Sequence, residues 1–136
     1  MDVNDTVEAF GQTLGEELLK PTKIYVNDFL KVKDEVVIKG MVHVTGGGFY
    51  ENIPRILPKG LSASIDLKTW EPPAIFKYMQ EKGNIEQREM FTTFNMGIGL
   101  IFVIEASDYD KFKSKLPEAI KIGKVVKGDY GVKLWA

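Results

Sequence analysis

A layered α/β (α+β) sandwich, with a mixed sheet flanked by helices, is the fold class that three features of the sequence predict. Stretches of strict alternation, such as Leu61, Ala63, Ile65 and Leu67 with Ser62, Ser64 and Asp66 between them, read as half-buried strands. Other stretches repeat their apolar residues at helical spacing, as Tyr109, Phe112 and Leu116 do. Strand and helix signals are interspersed along 136 residues, a length suited to one domain, residues 1–136, built in layers around one core.

The elements follow in order. Residues 1–12 have weak periodicity and read as an entry arm. Thr13 and Glu16 have the spacing of a capping box ahead of Leu18 and Leu19, and Pro21 closes that short helix. Tyr25, Phe29 and Val32 predict a helix over 22–33 with an extended start at Ile24–Val26. A strand is predicted over 36–45, with Val36, Ile38, Val42 and Val44 on one face and Val37, Lys39, Met41, His43 and Thr45 on the other. After the strand at 61–67, Pro72-Pro73 opens a helix that buries Ile75, Phe76 and Met79 and ends at Gly83. Asn84, with Gln87 three residues on, predicts the cap of a further helix through Phe94. The unalternating run Ile98–Ile104 predicts a central strand covered on both faces. Ser107 and Asp110 open the last helix, and Ile120–Val126 and Val132–Trp135 form two strands around a turn at Gly128-Asp129. Tyr25, Phe29, Phe76, Phe91, Phe94 and Phe112 fall at helical spacing and read as core.

Composition narrows the chemistry. Hydrophobic residues make up 44% and charged residues 27%, a globular balance without a long disordered tract. Zero cysteines exclude a disulfide scaffold, a thiol nucleophile and a cysteine zinc site. The lone histidine, His43, excludes a multi-histidine metal centre and is the one side chain suited to proton transfer near neutrality. No metal site is expected. A net charge of −1 gives no general attraction to nucleic acid or to an anionic membrane, and neither is expected as a partner. The seven lysines of residues 105–136 are interleaved with five acids and read as a solvated face. The longest apolar run is too short to span a bilayer and the acidic start is unlike a signal peptide, so the expected compartment is the cytoplasm.

The informative stretch runs from His43 to Arg55. A strand enters Thr45-Gly46-Gly47-Gly48 and then a short helix. Each glycine costs about 0.5–1 kcal/mol of conformational entropy relative to alanine in a regular element, so the run implies positive φ or a close approach to the backbone. Successive N–H groups in such a loop can face an anion, with Thr45 adding a hydroxyl and Arg55 a bidentate fork. The alternative is a tight turn without a ligand. The loop is neither a P-loop nor a dinucleotide fingerprint. Asn95-Met96-Gly97-Ile98-Gly99 has the wrong element order for phosphate binding and reads as backbone packing or a bend. His43, two residues ahead of the glycines, could serve a cleft as a base or as a stabiliser of negative charge, or be a structural histidine on a backbone carbonyl. Asn52 could cap, bind a ligand or satisfy the loop.

These residues resemble the C-terminal domain of the aminoimidazole ribonucleotide synthetase (phosphoribosylformylglycinamidine cyclo-ligase) family. The matching blocks are Thr13-Leu14-Gly15-Glu16 through Leu19, Pro21 to Val26, Lys39 to Gly48, Glu51 to Arg55 and Phe94 to Gly99, in the family's order. Selenophosphate synthetase, thiamine-monophosphate kinase and the hydrogenase-maturation dehydratase share the architecture. The resemblance implies a partial ferredoxin-like topology and an N-terminal ATP-binding domain that is absent here, residues 1–12 being the interdomain arm. It implies ATP and magnesium as cofactors of the full enzyme, held mainly by that missing domain, with none expected in this chain alone. It also implies formylglycinamidine ribonucleotide as substrate, and a homodimer. Carried over, His43 is a catalytic cleft residue, and Thr45, Gly46, Gly47, Gly48, Asn52 and Arg55 form a substrate- or phosphate-binding wall. The expectation is a substrate-side domain, inactive alone. The competing expectation is a stand-alone, non-catalytic module that binds a phosphorylated metabolite or a partner protein.

Overall fold

A computed structural model describes residues 2–129 and 131–136; Met1 of the expected arm lies outside the described residues. The rest of that arm is not featureless. Thr6–Val7 (β1) pairs antiparallel with Gln12–Thr13 (β2), and Val7 is buried. Thr13 then caps Leu14–Leu18 (α1): its hydroxyl accepts from the Glu16 N–H at 3.2 Å, and the Glu16 carboxylate accepts from the Thr13 N–H at 2.9 Å. Those bonds from the Thr13 backbone and hydroxyl hold the Glu16 carboxyl below its ordinary pKa.

The helix expected over 22–33 is shorter, Val26–Val32 (α2), and residues 22–25 approach it without regular structure. The strand expected over 36–45 forms ladder pairs only at Gly40–His43 (β3), antiparallel to Leu100–Val103 (β5). Its alternation is as expected, with Val42 and Val44 buried and Met41, His43 and Thr45 exposed. Val36 instead joins Val32, Phe112 and Leu116 in a small second core, which draws the chain away from the sheet before β3 begins.

β5 departs from expectation in its neighbours. Both its faces are used, Ile101 packing on the main core and Phe102 on the second, which accounts for the missing alternation. Among the described strands only β3 pairs with it, so it is an edge strand rather than a central one. The central position belongs to Leu61–Asp66 (β4), flanked by Gly123–Lys127 (β6, antiparallel) and Gly131–Trp135 (β7, parallel). The last two strands are therefore not a hairpin around Gly128-Asp129. Past the end of β6, at the start of β4, Gly128 N–H donates to Gly60 O at 3.0 Å and the Ser62 hydroxyl donates to Asp129 O. Those contacts explain why Ser62, expected on a polar face, is 1% exposed.

Gly48–Asn52 (α3), Ala74–Gly83 (α4), Gln87–Thr93 (α5) and Tyr109–Lys115 (α6) complete the layers. Asn84 does not cap α5: at φ 47 it terminates α4 in the left-handed conformation, and Glu86 holds the position before α5 without a side-chain cap. The main core centres on Phe49 of α3, fully buried with its ring 5.9 Å from Trp70 and 5.3 Å from Phe91. Of the six aromatics expected in the core, Phe91 and Phe112 are buried, and Tyr25, Phe29, Phe76 and Phe94 are half-buried. α6 is tied across to the segment before β3 by Lys115–Glu35 at 2.7 Å and Lys111–Glu35 at 3.4 Å.

Candidate functional site

β3 delivers His43 to the surface because Val42 and Val44, on either side, take the core-facing positions. Val44 N–H still donates to Gly99 O at 2.9 Å, so extended geometry persists to the edge of the glycine loop. His43, Thr45 and Gly46 meet on one cavity of about 390 Å³, whose other walls include Thr22, Phe76, Thr93, Phe94, Asn95 and Gly99.

The three glycines answer to three different demands. A Cβ at Gly46 would meet nothing within 4 Å. Gly47 has φ +94 and makes the turn, and Glu51 lies against its outer side. Gly48 has φ +53 and is buried, and a Cβ there would stand 2.0 Å from Phe91 O, so it sets how closely α3 approaches α5. Gly48 N–H is consumed by Thr45 O at 3.0 Å, whereas the N–H groups of Gly46 and Gly47 donate to no acceptor among the described residues. α3 has five residues, so anion attraction at this loop rests on individual donors and not on a long helix dipole.

Asn52 stands behind the loop, 5% exposed. Its Nδ2 donates to Gly48 O at 2.8 Å, Gly46 O at 3.2 Å and Thr45 O at 3.3 Å. These contacts tie the carbonyls of Thr45, Gly46 and Gly48 to one buried side chain, and the Gly46 and Gly47 amides are the two loop donors left without an acceptor among the described residues. Arg55 is exposed, 3.7 Å from Glu51 and 3.5 Å from Asn52 Oδ1. The expected binding wall therefore divides. Thr45 and Gly46 line the cavity beside His43, Gly47 makes the turn that follows, and Gly47, Gly48, Asn52 and Arg55 are not among the cavity walls.

Sequence reasoning missed Thr22, Thr93 and Asn95 as cavity residues, since nothing local marks them as facing His43. Asn95 Oδ1 accepts from Gly97 N–H at 3.0 Å, in keeping with a bend at that motif. Tyr25, read as core, touches His43 with its ring edge, the centroids 6.2 Å apart and the planes at 65°. A larger open groove of about 790 Å³ lies against Lys33, Glu35, Val37, Met41 and Lys111, but it includes none of the candidate residues, and Glu35 is paired with lysines there. The Glu35 carboxyl is held below its ordinary pKa by hydrogen bonds from Lys115 and Lys111.

The model of the family described as AIR synthase related protein, C-terminal domain, matches residues 2–135. The chain belongs to that family. Similar curated proteins include the phosphoribosylformylglycinamidine cyclo-ligases of Alkaliphilus metalliredigens, 55% identical over 97% of this chain, and of Caldicellulosiruptor bescii, 52% identical over 93%. This chain spans 39% of the first relative and 38% of the second. Among solved structures, Escherichia coli HypE, a hydrogenase maturation protein, superposes with a TM-score of 0.64 at 20% identity over 89% of this chain and 39% of its own. At that identity the likeness concerns the fold, which is the AIR synthase-like C-terminal architecture expected from the sequence. No helix among the described residues is long and apolar enough to cross a membrane.

Proposed function

We propose that this chain is the substrate-side portion of a phosphoribosylformylglycinamidine cyclo-ligase, working with an ATP-binding portion supplied by the rest of such an enzyme. The observation that carries the reading is the meeting of His43, Thr45 and Gly46 on one cavity, beside two amides that have no acceptor among the described residues. Family membership and the high identity to relatives of that name support it. Exposed Leu18, Leu19, Ile24, Val26, Leu30, Val37 and Met41 supply apolar surface that further protein could cover, which supports the reading. In this reading residues 1–12 lead to the ATP-binding portion, and the full enzyme is a cytoplasmic homodimer.

The reaction places ATP's γ-phosphoryl group on the formyl oxygen of formylglycinamidine ribonucleotide. An amine of the same substrate then attacks the activated carbon, closing the imidazole ring, and phosphate leaves. In this reading His43 accepts the proton lost by the attacking amine or steadies charge on the leaving oxygen. The Gly46 and Gly47 amides and the Thr45 hydroxyl are the donors for a phosphate. In this reading magnesium is held with the nucleotide, mainly by the ATP-binding portion, and no step is assigned to it here.

The test combines the purified chain with the remaining portion of the Alkaliphilus metalliredigens relative and measures ATP-dependent ring closure. Activity is expected from the mixture and not from the chain alone. His43→Ala is expected to lower kcat by about 10²–10⁴-fold with the fold intact. A folded, associated pair that binds substrate and ATP without turnover would overturn the assignment.

A further inference from the structure

Gly99 opens the way to an assignment for Tyr25. A Cβ at Gly99 would stand 2.1 Å from the Tyr25 hydroxyl and 2.8 Å from its Cζ, so the phenol lies directly on the bare backbone of residue 99. Gly99 also lines the cavity and accepts the Val44 N–H bond that extends the strand pairing past His43. From that seat the Tyr25 ring meets the imidazole of His43 in an edge-on contact. The segment carrying Tyr25 is fastened at its own end. Lys23 Nζ pairs with Asp28 of α2 at 2.8 Å and lies 5.5 Å from the centre of the Tyr25 ring. The Asp28 bond keeps the Lys23 ammonium above its ordinary pKa. Thr22, one residue beyond Lys23, forms part of the cavity wall.

His43 is exposed, and the ladder fixes its backbone but not its side-chain rotamer. The Tyr25 ring is the one aromatic group in ring contact with it among the described residues. We propose that Tyr25 is a positioning residue, wedged between Gly99 and His43 so that the imidazole is held in one orientation toward the cavity. Gly99 is glycine because any side chain would evict the phenol. This rests on the role assigned above to His43, yet the orientation itself can be read without turnover.

Because His43 is the only histidine, its ring and β-proton resonances are uniquely assignable in the 136-residue chain. The measurement is the pair of three-bond Hα–Hβ couplings of His43, which are unequal in the two rotamers common in strands, where one β-proton is anti to Hα, and converge when rotamers interchange. In the parent and in Tyr25→Phe, which keeps the ring, they are expected to stay unequal. In Tyr25→Leu and Gly99→Ala they are expected to converge, and the double variant should add no further change, since both substitutions remove the same wedge. Circular dichroism checks that each variant is folded. In the mixture with the ATP-binding portion, Tyr25→Leu should lower kcat about 10–100-fold with little change in KM, and Tyr25→Phe should restore most of it. Unequal couplings retained in a folded Tyr25→Leu chain, or in a folded Gly99→Ala chain, would overturn the positioning role. Converged couplings with unchanged kcat would keep the wedge and instead remove His43 from the chemistry.

Discussion

Gly46 faces open space at the mouth of the cavity, whereas Gly48, two residues on, is buried with its backbone against Phe91 O of α5. Around the first are Thr45, His43 and a free amide; around the second are Phe49, Asn52 and the carbonyls bound to it. The contrast teaches that one glycine run can do two jobs: its rear sets the distance between two helices, and its front is left available. Substitutions on the two sides should separate stability from binding.

The largest effect is expected from Gly48→Ala. The new methyl would overlap Phe91 O at a position whose φ already disfavours a side chain, and a loss on the order of 3 kcal/mol or more is expected in urea unfolding. Gly46→Ala meets no neighbour and should change unfolding by no more than about 0.5 kcal/mol. If the two variants were equally stable, the division of the loop would be wrong.

Next in size is Asn52→Ala. It removes the donor shared by three loop carbonyls, of which Gly48 O is buried, for an expected loss of about 1–3 kcal/mol. Its neighbour Arg55 sharpens the comparison, because the exposed contacts it makes with Glu51 and Asn52 are weak. Arg55→Ala should leave stability within about 0.5 kcal/mol by the same measurement.

The smallest effect concerns acid. Glu16 and Glu35 both have carboxyls held below the ordinary value of 4.5, by Thr13 and by the Lys115–Lys111 pair respectively. A lowered folded-state pKa contributes stability that is fully present above the unfolded value and is lost as pH falls through the folded one. Glu35→Gln should therefore flatten the decline in unfolding free energy on the acid side of 4.5 without changing it between pH 6 and 8 relative to its own plateau. Neither carboxylate lies at the loop, so phosphate binding should be indifferent to the change.

The contrast between the two sides was only partly legible in the sequence. His43, Thr45 and the glycines were visible because a strand, a glycine run and a lone histidine are local signals. Which glycine faced outward was not, since it depends on Phe91 O, forty-three residues past Gly48 and brought there by helix packing. The same reason hid Thr22, Thr93 and Asn95, which join the cavity only through tertiary contact. Among the elements, the capping box at Thr13 and Glu16 was readable because its bonds span three residues. The pairing of β6 and β7 with β4 was not, because alternation specifies a face and not a neighbour. Tyr25 and Asn84 were misplaced for opposite reasons. A ring at helical spacing looks the same whether it packs inward or against a histidine, and an asparagine between two helices suits the end of one as well as the start of the next.

The front of the loop can be tested without turnover by following backbone amide resonances while ribose 5-phosphate is added to the chain. Saturable shifts are expected at Gly46 and Gly47 and at the His43 ring, with Gly48 unmoved because its N–H is held by Thr45 O. Shifts that leave Gly46 and Gly47 untouched, or that fall equally on Gly48, would contradict the claim that the two acceptor-free amides of this loop receive an anion.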